Sequence, residues 1–315
     1  MSVLNAPHFQ DEAAAYAWVE ARVWPDGPIC PHCGSFERIG KLNGKSTRIG
    51  VYKCYGCRKP FTVKVGTIFE SSHIPMHVWL QAMFLLCSSK KGISSNQLHR
   101  TLGVTLKTAW FLSHRIREAM RSGDLAPMGG LGGIVEADET YLWKQDVPRE
   151  RKTKRYTAPT KSGKPGPAGK RAIISLVERH GGVRSFHVEN ADKPTVNQIV
   201  NRNIAREARV HTDESRIYGD VIRHASAHER IRHSAGEYVR GEIHTNSVEG
   251  YFSIFKRGMR GVYQHCAEKH LHRYLAEYDF RYNHRARFGI SDQERAEHAL
   301  LGIVGKRLTY RTTHQ

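Results

Sequence analysis

Two cysteine pairs, Cys30-Pro-His-Cys33 and Cys54-Tyr-Gly-Cys57, separated by the 20 residues 34 to 53, constrain this chain more than any other local feature. Each knuckle can turn two thiolates toward one point, and two knuckles at this separation complete a tetrahedral set for Zn²⁺. A segment of this size has little apolar interior, so a metal staple would carry much of its fold. The flanking stretches, Arg48 to Lys53 and Pro60 to Ile68, are β-branched and aromatic, with Tyr52 and Phe61 placed to cover the site. Residues 28–70 are therefore expected to form a zinc ribbon with one structural Zn²⁺ on Cys30, Cys33, Cys54 and Cys57. All four positions would be closed by protein, which leaves that ion no catalytic opening. A redox use of the CxxC pairs does not account for two knuckles with strands between them.

The 315 residues carry a formal charge of +19 and a pI near 9.8, which draws a protein to polyanions, and nucleic acid is the commonest soluble one. Met1 to Gln10 lacks a basic stretch followed by an apolar one, and no window approaches the length of a membrane span. A cytoplasmic protein in a reducing compartment is expected, which again favours metal ligation over disulfides. Cys87 and Cys266 read as buried, inert residues. Gly44-Lys45-Ser46 has the ending of a phosphate-binding loop, but the earlier glycine is out of place by one residue and the strand-to-helix context is missing.

Ahead of the ribbon, residues 1–27 hold one helix, Glu12 to Val23, closed by Pro25-Asp26-Gly27-Pro28. Behind it, residues 71–126 begin with an apolar helix from His77 to Cys87. The run Ser94 to Trp110 then reads as helix, short Leu102-Gly103-Val104 turn, helix, the second continuing through Leu112, Ile116 and Met120. This is the helix-turn-helix pattern, whose second helix can enter a major groove, and it nominates Lys107, Arg115 and Arg117 as DNA contacts. A helical hairpin used for packing is the alternative. The glycines of Pro127 to Gly133 mark a linker.

Residues 131–290 have a different pattern. Ile134 to Leu142 has strand character and puts Glu136, Asp138 and Thr140 on one face. Trp143 to Lys170 loses all apolar periodicity, and 144–170 is expected to be a basic insertion whose Arg151, Lys152, Lys154 and Arg155 can grip phosphate. Two strands follow, Arg171 to Glu178 and Val183 to Val188, then a helix over Asp192 to Ala208 and a strand from Arg209 to Asp213. Strand, strand, strand, helix, strand opens a ribonuclease H-like domain, an α/β (α+β) fold with a mixed sheet. If its first and fourth strands are neighbours, Asp138 and Asp213 come side by side, and a helix starting near Asn246 can bring Glu249 across from them. Three carboxylates in one cleft repel unless divalent cations occupy it, and hard oxygen ligands favour Mg²⁺ or Mn²⁺.

Other assignments compete at each position. Glu136 and Glu139 rival Asp138, and Glu214 rivals Asp213. Asn246-Ser247-Val248-Glu249 has the form of a capping box, with Asn246 as N-cap and Glu249 reaching back to the helix terminus. Beyond it, Val248, Phe252, Phe255 and Met259 form an apolar stripe, while Glu249, Ser253, Lys256 and Arg260 form a polar face suited to metal first and phosphate next. His211 and His244 stand near the site and can orient a phosphate or tune a ligand, although a lone histidine is more often structural.

The ordered set Cys30-x-x-Cys33, Cys54-x-x-Cys57, Ser88 to Ser94, Lys107-Thr108-Ala109-Trp110, His114-Arg115-Ile116-Arg117, Asp138-Glu139-Thr140-Tyr141, His211-Thr212-Asp213 and His244-x-Asn246-x-x-Glu249 resembles the bacterial insertion-sequence DDE transposases with an N-terminal zinc ribbon, the ISXO2-like group. Arg273 to Asn283 is similar to that group's closing helix, here Ala267 to His284. The resemblance runs from about Phe9 to Arg285. It implies Asp138, Asp213 and Glu249 as a catalytic, metal-binding triad, two Mg²⁺ or Mn²⁺ ions, and transposon ends and target DNA as substrates. It also implies a homodimer or higher oligomer on DNA, in a bacterial cytoplasm. Residues 291–315 read as a C-terminal tail with a short helical stretch and basic residues. Other functions compatible with the residues are a DNA-binding regulator with structural acids and a structure-selective nuclease of the same fold.

Overall fold

A computed structural model describes residues 2–123, 125–146 and 169–309. Two compact units emerge, one built from Met1–Arg121 with His284–Gln315 and the other from Ser122–Asn283.

The first unit contains the ribbon and a helical part. Its three short strands, β1 (Ile39–Lys41), β2 (Tyr52–Cys54) and β3 (Pro60–Phe61), form an antiparallel sheet in sequence order. Cys30, Cys54 and Phe61 are buried at its centre, and Trp24 meets Tyr52 and Phe61 edge-on at 5.6 and 5.8 Å. Helix α1 (Glu12–Val23) spans the expected residues, with the Asp11 carboxylate accepting the Ala14 N–H as its cap. Helix α2 (Met76–Ser88) buries Trp79, Met83 and Leu86 on a face that packs against α1, α3 (Ser95–Leu102), α4 (Leu106–Ala119) and α8 (Asp292–Leu301). Gly103 ends α3 in the left-handed region at φ 65°, and Thr105 caps α4 through the Thr108 N–H, so the expected helix, tight turn and helix are present.

The short helical stretch expected within 291–315 is α8, opened by a capping box of Ser291 and Glu294. Its buried Arg295 donates to the Cys87 carbonyl at the C-terminal end of α2 and to the His284 carbonyl. Its buried apolar positions are Ala296, Ala299 and Leu300, and the helix packs on α2.

The second unit is a five-stranded mixed sheet in the order β6-β5-β4-β7-β8. Here β4 is Ile134–Lys144, β5 Lys170–Glu178, β6 Val183–Val188, β7 Arg209–Thr212 and β8 Ala227–Arg230. The first three strands pair antiparallel, and β7 and β8 run parallel to β4. This is the ribonuclease H arrangement, with the first and fourth strands adjacent as expected. Strand β8 was not foreseen, because Ala227-His228-Glu229-Arg230 has no apolar alternation. Helix α5 (Lys193–Asn203) stops earlier than expected, as the Asn203 carbonyl accepts the Met128 N–H and Ile204 pairs with Met128.

One face of the sheet, with Val135, Ala137, Ile174 and Leu176, packs on α5 and Tyr218. The other, with Leu142, Ile173 and Val177, packs on α6 (Asn246–Gly258) and α7 (Leu271–Asn283) through Val248, Phe252, Phe255, Tyr274 and Tyr278. The expected apolar stripe of α6 is thus buried.

A polar knot fastens α6, α7 and β6 to one another. The Asp279 carboxylate accepts the Ser185 N–H at 2.8 Å, the Ser185 hydroxyl at 2.7 Å and the Tyr251 hydroxyl at 2.6 Å. Loss of water around it lifts the Asp279 carboxyl from 3.8 to about 6, against the opposing pull of those hydrogen bonds. The folded chain therefore binds this proton more tightly than the unfolded chain. Its contribution to stability is full below about pH 4 and is lost as pH rises through about 6. Asp279→Asn is expected to shrink the difference in melting temperature between about pH 4.5 and about pH 7.5; an undiminished difference would contradict the assignment.

Candidate active site and metal centres

The four ribbon cysteines converge. Their sulfurs lie within 4.8 Å of one another, with Cys30 Sγ 3.7 Å from Cys57 Sγ and Cys33 Sγ 3.8 Å from Cys54 Sγ. Zn–S bonds of about 2.3 Å at the tetrahedral angle require S···S separations of about 3.8 Å, so the set fits the ion.

The second convergence forms where β7 ends alongside the middle of β4. Their parallel register pairs Val135 with Val210 and Glu136 with His211, and continuing it by two residues brings Asp138 level with Asp213. Because β7 stops at Thr212, the edge of β4 beyond Glu136 carries no strand, and side chains from both faces can bend toward the gap. Asp138 comes from the α6 face and Glu139 from the α5 face, and carboxylate oxygens of Asp138, Glu139 and Asp213 lie within 4.8 Å of one another. Backbone amides hold two of them, Glu139 N–H on Asp138 and Ser215 N–H on Asp213, at 2.8 and 2.9 Å.

Burial is the largest influence on all three carboxyls, and mutual repulsion adds to it. Asp138 is pushed well above the usual carboxylate range by burial and by the charges of Glu139, Asp213 and Glu249. Glu139 is raised by burial and by Asp213, and Asp213 by burial with contributions from Glu214 and Glu249. Such a knot of carboxylates is under electrostatic stress that a divalent cation with oxygen preference relieves, so these residues fit Mg²⁺ or Mn²⁺.

Glu249, expected as the third member, stands at the rim. Its side chain is 47% exposed, its Oε1 accepts the Thr245 hydroxyl at 2.9 Å, and His233 Nε2 lies 3.5 Å away. Its charge nevertheless acts on both aspartates. The capping box does not form as expected: the N-cap is Thr245, not Asn246, and Glu249 takes that residue's hydroxyl instead of reaching a backbone N–H.

The rival acids are accounted for. Glu214 accepts the N–H and hydroxyl of Ser234 at 3.1 and 2.7 Å. Glu136 is fully buried and bound to Arg179 and the start of α6. Glu139, by contrast, joins the cluster while its Oε2 accepts the Tyr218 hydroxyl at 2.9 Å. His211 is buried, with Nε2 2.8 Å from Glu229 and Nδ1 3.4 Å from Arg179, and His244 Nδ1 lies 3.2 Å from Glu136. These contacts give both histidines structural partners. His233, Tyr218 and Arg179 drew no attention in the sequence, since nothing local distinguishes them.

Among the expected DNA contacts, Lys107 is exposed on the first turn of α4, Arg260 is exposed and Lys256 half-buried beyond Glu249 on α6 and the π-turn that follows. Burial draws the Lys256 ammonium pKa down. Arg151, Lys152, Lys154 and Arg155, with most of the 144–170 insertion, lie outside the described residues. Arg115 and Arg117 must be withdrawn as DNA contacts. They are only 4% and 1% exposed, Arg115 donating to the carbonyls of Ile68, Glu70 and Leu308 and Arg117 to the Ser113 hydroxyl. The carbonyls of two neighbouring loops need donors, and a guanidinium supplies several.

A ribonuclease H-type sheet with an acidic cluster on its central strand, beside the end of the neighbouring parallel strand, defines the class of nucleic-acid-processing phosphoryl-transfer domains. Residues 130–283 match the family described as the ISXO2-like transposase domain, and residues 10–60 match the transposase zinc-ribbon domain. The chain is 30% identical over 248 residues to an uncharacterized protein in transposable element ISH50 of Halobacterium salinarum, an alignment covering 76% of this chain and 81% of that protein. The chain belongs to the ISXO2-like transposase family and is a transposase. Two solved structures share a distant likeness. The Mos1 strand transfer complex has TM-score 0.27 and 12% identity over 70% of this chain and 74% of that one. A pre-cleavage Mos1 transpososome has 0.24 and 13% over 71% and 74%. Among the described residues, no helix is long and apolar enough to cross a membrane.

Proposed function

We propose that this transposase binds the terminal inverted repeats of its insertion sequence, cleaves their 3′ ends and transfers them to target DNA. The observation that carries the reading is the convergence of Asp138, inside β4, with Asp213, just past the end of the adjacent parallel β7, with Glu249 acting on both from α6. Asp138 and Asp213 would hold the metal centre, and Glu249 would complete it from the rim. Two divalent cations, when bound, supply activation of a water or 3′-hydroxyl and charge stabilisation on the leaving oxygen. Lys256 and Arg260, continuing from Glu249 along the same face, would receive the phosphates of the bound strand.

End recognition would fall to the ribbon and to the first turn of α4. Lys107 is exposed there, whereas the C-terminal half of the helix is buried, as in helix-turn-helix proteins that read bases with the N-terminal residues of the second helix. Acting on two ends requires at least a dimer on DNA.

The reading is tested with full-length protein, a duplex bearing an element end, and Mg²⁺ or Mn²⁺. Nicked 3′ ends and joined products are expected with the natural protein and not with Asp138→Ala. Binding without cleavage of any end would favour a regulator, and cleavage of branched DNA without preference for ends would favour a nuclease. Neutralising Arg151, Lys152, Lys154 and Arg155 is expected to flatten the dependence of binding on salt by about 0.9 in log–log slope for each residue that meets a phosphate. An unchanged slope would remove these residues from the interface.

A further inference from the structure

Glu136 lies two residues before Asp138 on the same face of β4, yet its carboxylate is wholly engaged elsewhere. Oε2 accepts the backbone N–H groups of Ser247 and Val248 at 2.7 and 3.1 Å, both in the first turn of α6. Oε1 accepts the Ser247 hydroxyl at 3.0 Å and the Arg179 guanidinium at 2.9 and 3.3 Å. Thr245, the N-cap of α6, makes no capping bond with its own side chain, because its hydroxyl is turned to Glu249. Two of the N–H groups that this helix start leaves open are therefore satisfied by a carboxylate from the sheet.

Arg179, directly after β5, holds the other end of this arrangement. Besides Glu136, it donates to the carbonyls of Glu242 and His244 at 2.7 and 3.4 Å, so it grips the chain entering α6. The strand carrying Asp138 is thereby joined to the helix carrying Glu249 through two buried or nearly buried charges. The apolar stripe of α6 packs on Leu142, Ile173 and Val177 without either of them. Packing can hold the helix against the sheet, whereas the charged pair fixes the position of its first turn, where Glu249 is.

We propose that Glu136 and Arg179 form a positioning bracket that sets where Glu249 meets Asp138 and Asp213, and thereby sets the affinity of the acidic site for a divalent cation. This rests on the reading of those three carboxylates as the metal site. Neither bracket residue touches substrate or metal in this proposal; each acts through Glu249.

The test uses full-length protein without DNA and Mn²⁺ as the probe, with free Mn²⁺ measured by electron paramagnetic resonance. Glu136→Gln keeps the shape but removes the charge, and is expected to weaken Mn²⁺ binding by about 10- to 100-fold. Glu249→Gln should weaken it as well, and the double variant no more than Glu249→Gln alone, because the bracket works only through that carboxylate. Arg179→Lys, which keeps a cation but loses the fork of donors, should weaken binding less than Glu136→Gln and provides the measurement if Glu136→Gln does not fold. Fully additive losses in the double variant, or native affinity in the folded bracket variants alongside a loss in Glu249→Gln, would overturn the bracket. Native affinity in Asp138→Asn would instead overturn the metal-site reading, and the bracket with it.

Discussion

Replacing Asp138 with Asn is expected to abolish end cleavage and strand transfer, by at least about 10³-fold, because a metal ligand contributes several kcal/mol of transition-state stabilisation and each 1.4 kcal/mol is tenfold in rate. The same substitution should leave the metal-free protein as stable as the parent or more so. Burial and the charges of Glu139, Asp213 and Glu249 all oppose ionisation of Asp138, so a neutral side chain removes a cost that the folded chain carries. Added Mn²⁺ should raise the melting temperature of the parent but not of Asp138→Asn, since only a bound ion shifts the unfolding equilibrium. This combination separates a functional carboxylate from a structural one: a structural acid, when neutralised, lowers stability and leaves the metal response intact. Glu139→Gln and Glu249→Gln then divide the third position between them. Glu139 lies within the tight cluster but gives one oxygen to Tyr218, whereas Glu249 is at the rim with room to turn inward. The greater loss is expected for Glu249→Gln; a greater loss for Glu139→Gln would move the third ligand onto β4.

What the sequence disclosed about this site follows the range of the forces involved. The cysteine knuckles and the stripe of α6 are local patterns, repeated within a few residues, and both fold as read. The order of strands made Asp138 and Asp213 neighbours because parallel pairing of β4 with β7 carries one register across both. Arg115 and Arg117 were misplaced for the opposite reason. Helical periodicity located them on α4, but the carbonyls that claim Arg115 lie 45, 47 and 193 residues away, and no local pattern reports them. Glu136 is a similar case: its spacing from Asp138 suggested a rival ligand, and only the arrival of α6, 111 residues later, shows it to be a helix cap. Charged residues that serve as internal hydrogen-bond donors and acceptors are indistinguishable in sequence from those that face a ligand.

Removing metal from the ribbon is expected to unfold its cysteine-bearing part, residues 30–61, while the ribonuclease H-type unit stays folded. The ribbon's strands contain only three, three and two residues, and Cys30, Cys54 and Phe61 are its central buried side chains. Such an interior cannot offset the conformational entropy of ordering the segment, whereas a structural Zn²⁺ contributes about 10–16 kcal/mol at neutral pH. The other unit has no such dependence, since its sheet is covered on both faces by apolar residues. Protein purified without chelator should therefore contain one Zn²⁺ per chain, held by sulfurs already at tetrahedral spacing. Chelation, or Cys54→Ser, should expose the amides of β1 to β3 to rapid hydrogen exchange and leave those of β4 to β7 protected. Binding to an element end should fall, while Mn²⁺ binding at the acidic cluster persists. A chain that keeps its ribbon amides protected after complete zinc removal would show that Trp24, Tyr52 and Phe61 suffice to hold the strands, and would reduce the cysteines to a site the fold does not need.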